Sequence, residues 1–121
     1  MSRPSGLTYH LVPEEIWQTH QGSESYRPER FADEGFVHCT DGEELLIEVG
    51  NRYYQSDLRS YLVLDVDLDA LAAEAIYEDE ARLYPHVYGP IERHAVRRVR
   101  RIERGADGSF VTIGQDFDPA T

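Results

Sequence analysis

The chain has 121 residues, 40% of them hydrophobic and 29% charged, which places it with single globular domains and excludes a disordered polypeptide. Its net charge of −11 excludes a long nucleic-acid footprint or an anionic membrane surface as partner, although local arginines can still hold a small phosphate-bearing ligand. All 12 basic residues are arginine, so Schiff-base chemistry, a lysine-bound pyridoxal cofactor and a Walker phosphate loop are excluded as well.

Leu7 to Val12 reads as a strand with Leu7, Tyr9 and Leu11 on the apolar face, which turns Thr8, His10 and Val12 the other way. Pro13 suits the first position of a helix running to about Gln21, with Ile16, Trp17 and His20 on one side. Gly22 to Glu34 is polar and reads as a loop. Phe36 to Thr40 reads as a short strand, with Phe36, His38 and Thr40 on one face and Val37 and Cys39 on the other. A helix starts at once. Thr40 or Asp41 is its expected cap, and Leu45, Leu46, Val49 and Tyr53 form its stripe.

Ser60 to Asp67 alternates as a strand, with Leu62, Leu64 and Val66 to one side. Leu68 to Ala73 allows a short helical turn, and Glu74 to Glu78 a strand. Leu83 to Pro90 reads as an irregular aromatic loop, because two prolines and a glycine interrupt it. His94 to Glu103 and Ser109 to Ile113 form a hairpin turning at Ala106-Asp107-Gly108. Residues 114–121 read as a frayed polar tail of a single domain spanning residues 1–121. Strands outnumber helices and connections are short, so the fold class is α+β with a largely antiparallel sheet. No apolar run approaches the roughly 18 residues of a membrane span. The first ten residues lack an apolar leader, and Cys39 has no partner for an intrachain disulfide, so the chain reads as cytoplasmic.

Three histidines sit in patterned strings: His10 after Tyr9, His38 within Gly35-Phe36-Val37-His38-Cys39-Thr40, and His86 within Tyr84-Pro85-His86-Val87-Tyr88-Gly89-Pro90. Imidazole exchanges a proton near neutral pH, so a shared cleft wall would suit ligand contact or proton transfer. The competing reading is half-exposed histidines without a role, with His86 bonded to backbone in a structural plug. The helix start at Thr40 to Gly42 offers an anion site, but capping is the simpler explanation given Glu43 and Glu44. Three histidines are also a catalytic zinc set, yet none are at helical spacing and no HExxH string exists. Asp65, Asp67 and Asp69 mimic a calcium loop that lacks its glycine and its last glutamate. His38-Cys39-Thr40 is a single H-x-T element, whereas the phosphoesterases of that kind use two. Cys39 reads as a buried structural thiol. Arg97, Arg98, Arg100, Arg101 and Arg104 read as residues that blunt an edge strand and pair with carboxylates.

Taken in order, Tyr9-His10 with Trp17 following, Tyr26-Arg27-Pro28, the string Gly35 to Thr40 and the string Pro85 to Pro90 resemble a bacterial family of unknown function. This is the domain-of-unknown-function family nine-five-two, and the resemblance spans roughly Leu7 to Ile102. It implies grouping by fold with the ADP-ribosyltransferase-like superfamily, which includes the RNA 2'-phosphotransferases. The implied fold is a small domain with a split, largely antiparallel β-sheet flanked by two main helices, and a cleft that in active relatives holds NAD. By the same resemblance, His10 would grip the nucleotide, His38 would lie on a neighbouring strand, and His86 with Tyr88 would border the cleft. The usual catalytic glutamate has no clear counterpart; Glu92 is nearby in sequence only. The RNA phosphotransferases manage without that residue.

The expected function is that of a small enzyme acting on NAD or a nucleotide-like molecule, with NAD as substrate or ligand. Its expected catalytic residues are His38, His10 and His86, and its expected ligand contacts His10, Trp17, Tyr26, Thr40, Tyr88 and Gly89, without a metal. The alternative is a non-catalytic module that binds a metabolite or partner in the same cleft.

Overall fold

The computed structural model describes residues 3–117. In chain order the elements are β1 (Leu7–Pro13), α1 (Glu14–Thr19), β2 (Ser25–Tyr26), α2 (Phe31–Glu34), β3 (Val37–His38), α3 (Glu43–Tyr53) and β4 (Tyr61–Asp67). There follow β5 (Ala75–Tyr77), β6 (Pro85–Val87), β7 (Ile91–Glu92), β8 (Val96–Arg104) and β9 (Phe110–Asp116), with single 3-10 turns at Leu68–Ala70 and Arg93–Ala95.

The structure is organised around β4. Its alternating side chains bury on both faces, Leu62, Leu64 and Val66 into one core and Tyr61 and Val63 into another. The main sheet runs β1-β4-β8-β9, and two smaller sheets, β2-β7 and β3-β6-β5, lie outside it. Every strand pair is antiparallel. One face of the main sheet is covered by α3, through Leu46 against Leu11, Val63 and Ile102. Gly50 permits this approach, because a Cβ there would come within 2.8 Å of the Phe110 ring. The other face is covered by Trp17 of α1, Tyr26 of β2, and Val37, Val87 and Ala75 of the three-stranded sheet.

The α+β class and the antiparallel pairing hold, and the terminal hairpin turns as its sequence indicates. Several local expectations do not. The Thr8, His10 and Val12 face of β1 is the more deeply buried one, while Leu7, at the start of the strand, is 49% exposed. Pro13 ends β1 and precedes α1, which stops at Thr19. The 22–34 segment contains β2 and α2, and the expected irregular loop at 83–90 contains β6, the middle strand of its sheet. Pro85 is tolerated there as the first residue of the strand.

No side chain caps α3, whose N-cap is Gly42. Asp41 accepts a hydrogen bond from the Tyr77 hydroxyl instead, and the Thr40 backbone is engaged with Tyr9. The arginine-rich strand β8 is interior and blunts no edge. Arg97, Arg98, Arg100 and Arg101 do pair with carboxylates, of Asp67, Asp116, Asp65 with Glu43, and Glu14. Of the expected tail, Gly114 to Asp116 belong to β9 and Phe117 is buried; positions 118–121 lie outside the described residues. Among the described residues no helix is long and apolar enough to cross a membrane.

Arg104 differs from its neighbours in β8. Its guanidinium donates to the backbone carbonyls of Tyr54, Gln55, Asp57, Arg59 and Gly108, and lies 4.1 Å over the Phe110 ring. It thereby satisfies the loop between α3 and β4, which has no sheet partner of its own. We expect Arg104→Met to lower unfolding free energy by about 2–4 kcal/mol in urea titrations, since several carbonyls lose their donor. Arg104→Lys should recover little, because one ammonium cannot reproduce the fork.

Candidate functional site

The site is built on His10. Its ring is 5% exposed, and both nitrogens are engaged. Nδ1–H donates to the His38 carbonyl at 2.6 Å, and the Tyr26 hydroxyl donates to Nε2 at 2.8 Å. This assignment fits the electrostatics. Burial pushes the His10 pKa down to about 4, so the ring is neutral at pH 7, and burial raises that of Tyr26, which keeps its proton to donate. Beside His10, Tyr9 and Thr40 exchange backbone hydrogen bonds of 3.0 and 2.8 Å, which ties β1 to the segment following β3.

Above this floor stand His38 and His86. They are direct cross-strand partners of β3 and β6, and their ring centroids are 5.2 Å apart. Each has one nitrogen on a carboxylate: His38 Nε2 lies 3.1 Å from Glu34, and His86 Nδ1 2.9 Å from Glu78. Their other nitrogens, Nδ1 of His38 and Nε2 of His86, have no hydrogen-bond partner among the described residues. Phe36 stacks on His86 at 4.1 Å and meets His38 edge-on at 4.7 Å, which restricts both rings. The Tyr88 hydroxyl donates to Glu78, and its hydrogen bond, followed by that of His86, holds the Glu78 carboxyl below the usual range. Glu34 reaches His38 because Gly35, at φ +81, ends α2 in the left-handed region and turns the chain directly into β3.

These groups border a cavity of two contiguous lobes. The inner lobe, of 340 Å³, is lined by His10, Leu11, Pro13, Tyr26, Leu46, Tyr61 and Arg59 among others. The outer lobe, of 640 Å³, is lined by His86, Glu78, Asp79, Tyr84, Arg52 and Cys39. Arg30, Glu34, His38, Thr40, Val49, Tyr53 and Tyr54 line both.

The structure therefore brings His38, His86, Thr40 and Tyr26 to one cleft. His10 lies in its floor with no free nitrogen, a position that suits support better than proton transfer. Trp17 is a core residue, 4% exposed, packed edge-on against Tyr26 and under Arg93, and it does not line the cavity. Tyr88 acts on His86 through Glu78 from outside the lining. Gly89 is explained by packing, since a Cβ there would meet Ala73 at 2.7 Å. Glu92 also lies outside, accepting from the Ala72 N–H at 3.0 Å. Cys39 is buried, and burial pushes its thiol pKa far up, as a structural thiol requires. No group of three His, Cys, Asp or Glu residues in metal-holding geometry occurs among the described residues.

Sequence reasoning missed Glu34, Glu78, Arg30, Arg52, Tyr53 and Tyr54. The spacing of Glu34 four residues before His38 was a usable signal. Glu78 becomes visible only once the β5–β6 register places Ile76 opposite His86.

A family model described as Protein of unknown function (DUF952) matches residues 11–99, beginning one position after His10. The crystal structure of protein CC0527 from Caulobacter crescentus is similar, with a TM-score of 0.73 and 19% identity over 87% of this chain and 93% of that one. The solution NMR structure of CC0527 gives a TM-score of 0.66 and 20% identity over 84% and 89%. At these identities the likeness concerns the fold. No curated protein matches the sequence.

The buried imidazole predicts an acid-sensitive fold. Its ordinary pKa is 6.5 and its folded value about 4, so between them the unfolded chain binds a proton that the folded chain does not. Stability from His10 is thus complete above about pH 6.5 and is lost as pH falls toward 4, by about 3 kcal/mol in total. Urea midpoints at pH 7 and 4.5 should fall steeply in the parent protein. His10→Gln should be less stable at pH 7 and show a flatter decline. Equal pH slopes in the two proteins would contradict the buried neutral state.

Proposed function

The chain belongs to the DUF952 family of proteins of unknown function, and on the geometry of its cleft we propose that it is an enzyme performing acid–base chemistry on a small molecule. The observation that carries this reading is the His38–His86 pair, two adjacent imidazoles each oriented by its own carboxylate at the edge of a cavity. A carboxylate that accepts one ring N–H selects the tautomer whose other nitrogen is a bare base. Two such rings supply the two halves of a group transfer. Neutral His38 takes the proton of an attacking hydroxyl as its oxygen bonds to the electrophilic centre. Protonated His86 gives its proton to the leaving oxygen as that bond breaks.

His10 takes no part in proton transfer here. It holds the His38 backbone and, through Tyr26, the floor. Thr40 and Tyr26 contact the ligand, and Tyr53 and Tyr54 offer the aromatic surface once expected of Trp17. The finer reading is that the ligand is NAD or a nucleotide-like molecule, bound without a metal, with an ADP-ribosyltransferase-like ancestry. It is supported by the sequence resemblance and by a cavity of adequate size for such a ligand.

The second reading is a non-catalytic binding module with the same cleft. It is favoured by the position of Glu92 outside the cleft and by Glu34 and Glu78, both engaged with histidines. NMR titration of labelled protein with NAD, followed by product analysis over time, separates the two. An enzyme gives saturable shifts at His38, His86 and Thr40 and consumes NAD. His38 is 48% exposed, so His38→Gln should cut turnover about 10²–10⁴-fold with little change in Tm. Saturable shifts without turnover identify the binding module, and no shifts at millimolar NAD would remove this ligand class.

A further inference from the structure

The chain carries 23 carboxylate residues against 12 arginines, so a guanidinium has acceptors in excess. Arg59, Arg97, Arg98, Arg100 and Arg101 find them, and Arg93 and Arg104 donate to backbone carbonyls instead. Arg59, in the inner lobe, is held by Asp57, Glu15 and Glu29 at 2.7–3.1 Å. Arg30 and Arg52 are different. Both line the outer lobe, and neither guanidinium makes a hydrogen bond or ion pair among the described residues. Carboxylates are present in that lobe, but they are engaged elsewhere. Glu34 and Glu78 face the two histidines, and Asp79 accepts the N–H groups of Leu83 and Tyr84 at 2.9 and 3.1 Å. The outer lobe thus combines two uncommitted guanidinium forks with two imidazoles, a donor set suited to the tetrahedral oxygens of phosphate. The inner lobe shares Arg30 and Glu34 with the outer one but differs in the rest of its lining. Leu11, Pro13, Leu46, Tyr26, Tyr54 and Tyr61 line it, and the charged groups found there alone, Arg59, Asp57 and Glu29, are paired with one another.

We infer that the cleft takes a ring-bearing organic phosphate, with its uncharged ring in the inner lobe and its phosphate in the outer lobe between Arg30, Arg52 and the histidine pair. This assignment deepens the acid–base reading and rests on it. His38 and Thr40 line both lobes, so the bond joining the ring portion to the phosphate portion crosses the cleft beside His38.

The test uses phenyl phosphate, inorganic phosphate and benzyl alcohol as probes, with affinities read by NMR titration of the full chain. Phenyl phosphate should bind at least tenfold more tightly than either fragment. The double variant Arg30→Gln, Arg52→Gln should lose tenfold or more for both phosphates and leave benzyl alcohol unchanged. Both arginines are exposed, so thermal melting should confirm an intact fold. Undiminished phosphate affinity in the double variant, or benzyl alcohol binding as tightly as phenyl phosphate, overturns the assignment. A histidine double variant, His38→Gln with His86→Gln, keeps the two readings apart. If it retains phenyl phosphate binding within tenfold, the arginines recognise the anion independently of catalysis. If it alone loses that affinity while the arginine variant keeps it, the anion belongs to the histidines and the arginine assignment fails, with the acid–base reading untouched.

Discussion

One buried imidazole joins three pieces of this chain that share no sheet. His10 belongs to β1 of the main sheet, its Nδ1–H is bonded to a carbonyl of β3, and its Nε2 receives the hydroxyl of Tyr26 in β2. A buried polar ring is costly unless every hydrogen-bonding group finds a partner, so the two small sheets must dock on β1 in a single register. That register sets the position of His38, whose backbone is held from beneath while its ring is held by Glu34 and Phe36.

The same demand for satisfaction orders the rest of the molecule. Because β4 is buried on both faces, the polar groups beside it need internal partners. Arg100 and Asp65 meet across β4 and β8 at 2.8 Å, both nearly buried, and Glu43 at the start of α3 joins them. Breaking one member of such a cluster leaves a buried charge without its counterpart, so the cluster constrains how α3 lies on the sheet. Arg104 serves the α3–β4 loop in the same way with backbone carbonyls. An acidic chain has thereby used Arg100 and Arg104 as internal fasteners.

Against that background the cleft is a place where hydrogen-bonding capacity is left over among the described residues. His38 and His86 each keep one free nitrogen, and Arg30 and Arg52 keep their forks. The orienting contacts lie one step outside the cavity: Phe36 against both imidazoles and Tyr88 on Glu78. Rings held from behind with one nitrogen uncommitted would suit the preorganised chemistry proposed above.

How much of this was legible beforehand varies with the range of the interaction. Strand β4, the terminal hairpin and the α+β class follow from alternation and turn residues, which act over a few positions. The strings around His38 and His86 marked the segments of the cleft for the same reason. The faces of β1 were misjudged, because alternation shows which residues share a side and not which side is covered more deeply. Trp17 and Gly89 looked functional, but their neighbours Tyr26 and Ala73 come from distant segments and make them packing residues. By itself the sequence determined the absence of lysine chemistry, the acidic field, the main strands and the two histidine strings, all properties of composition or short-range pattern. Only the tertiary structure decided that His10 is a neutral tether while His38 and His86 are paired on separate carboxylates. Those roles depend on strand register and burial, which bring together groups 28, 16 and 8 residues apart.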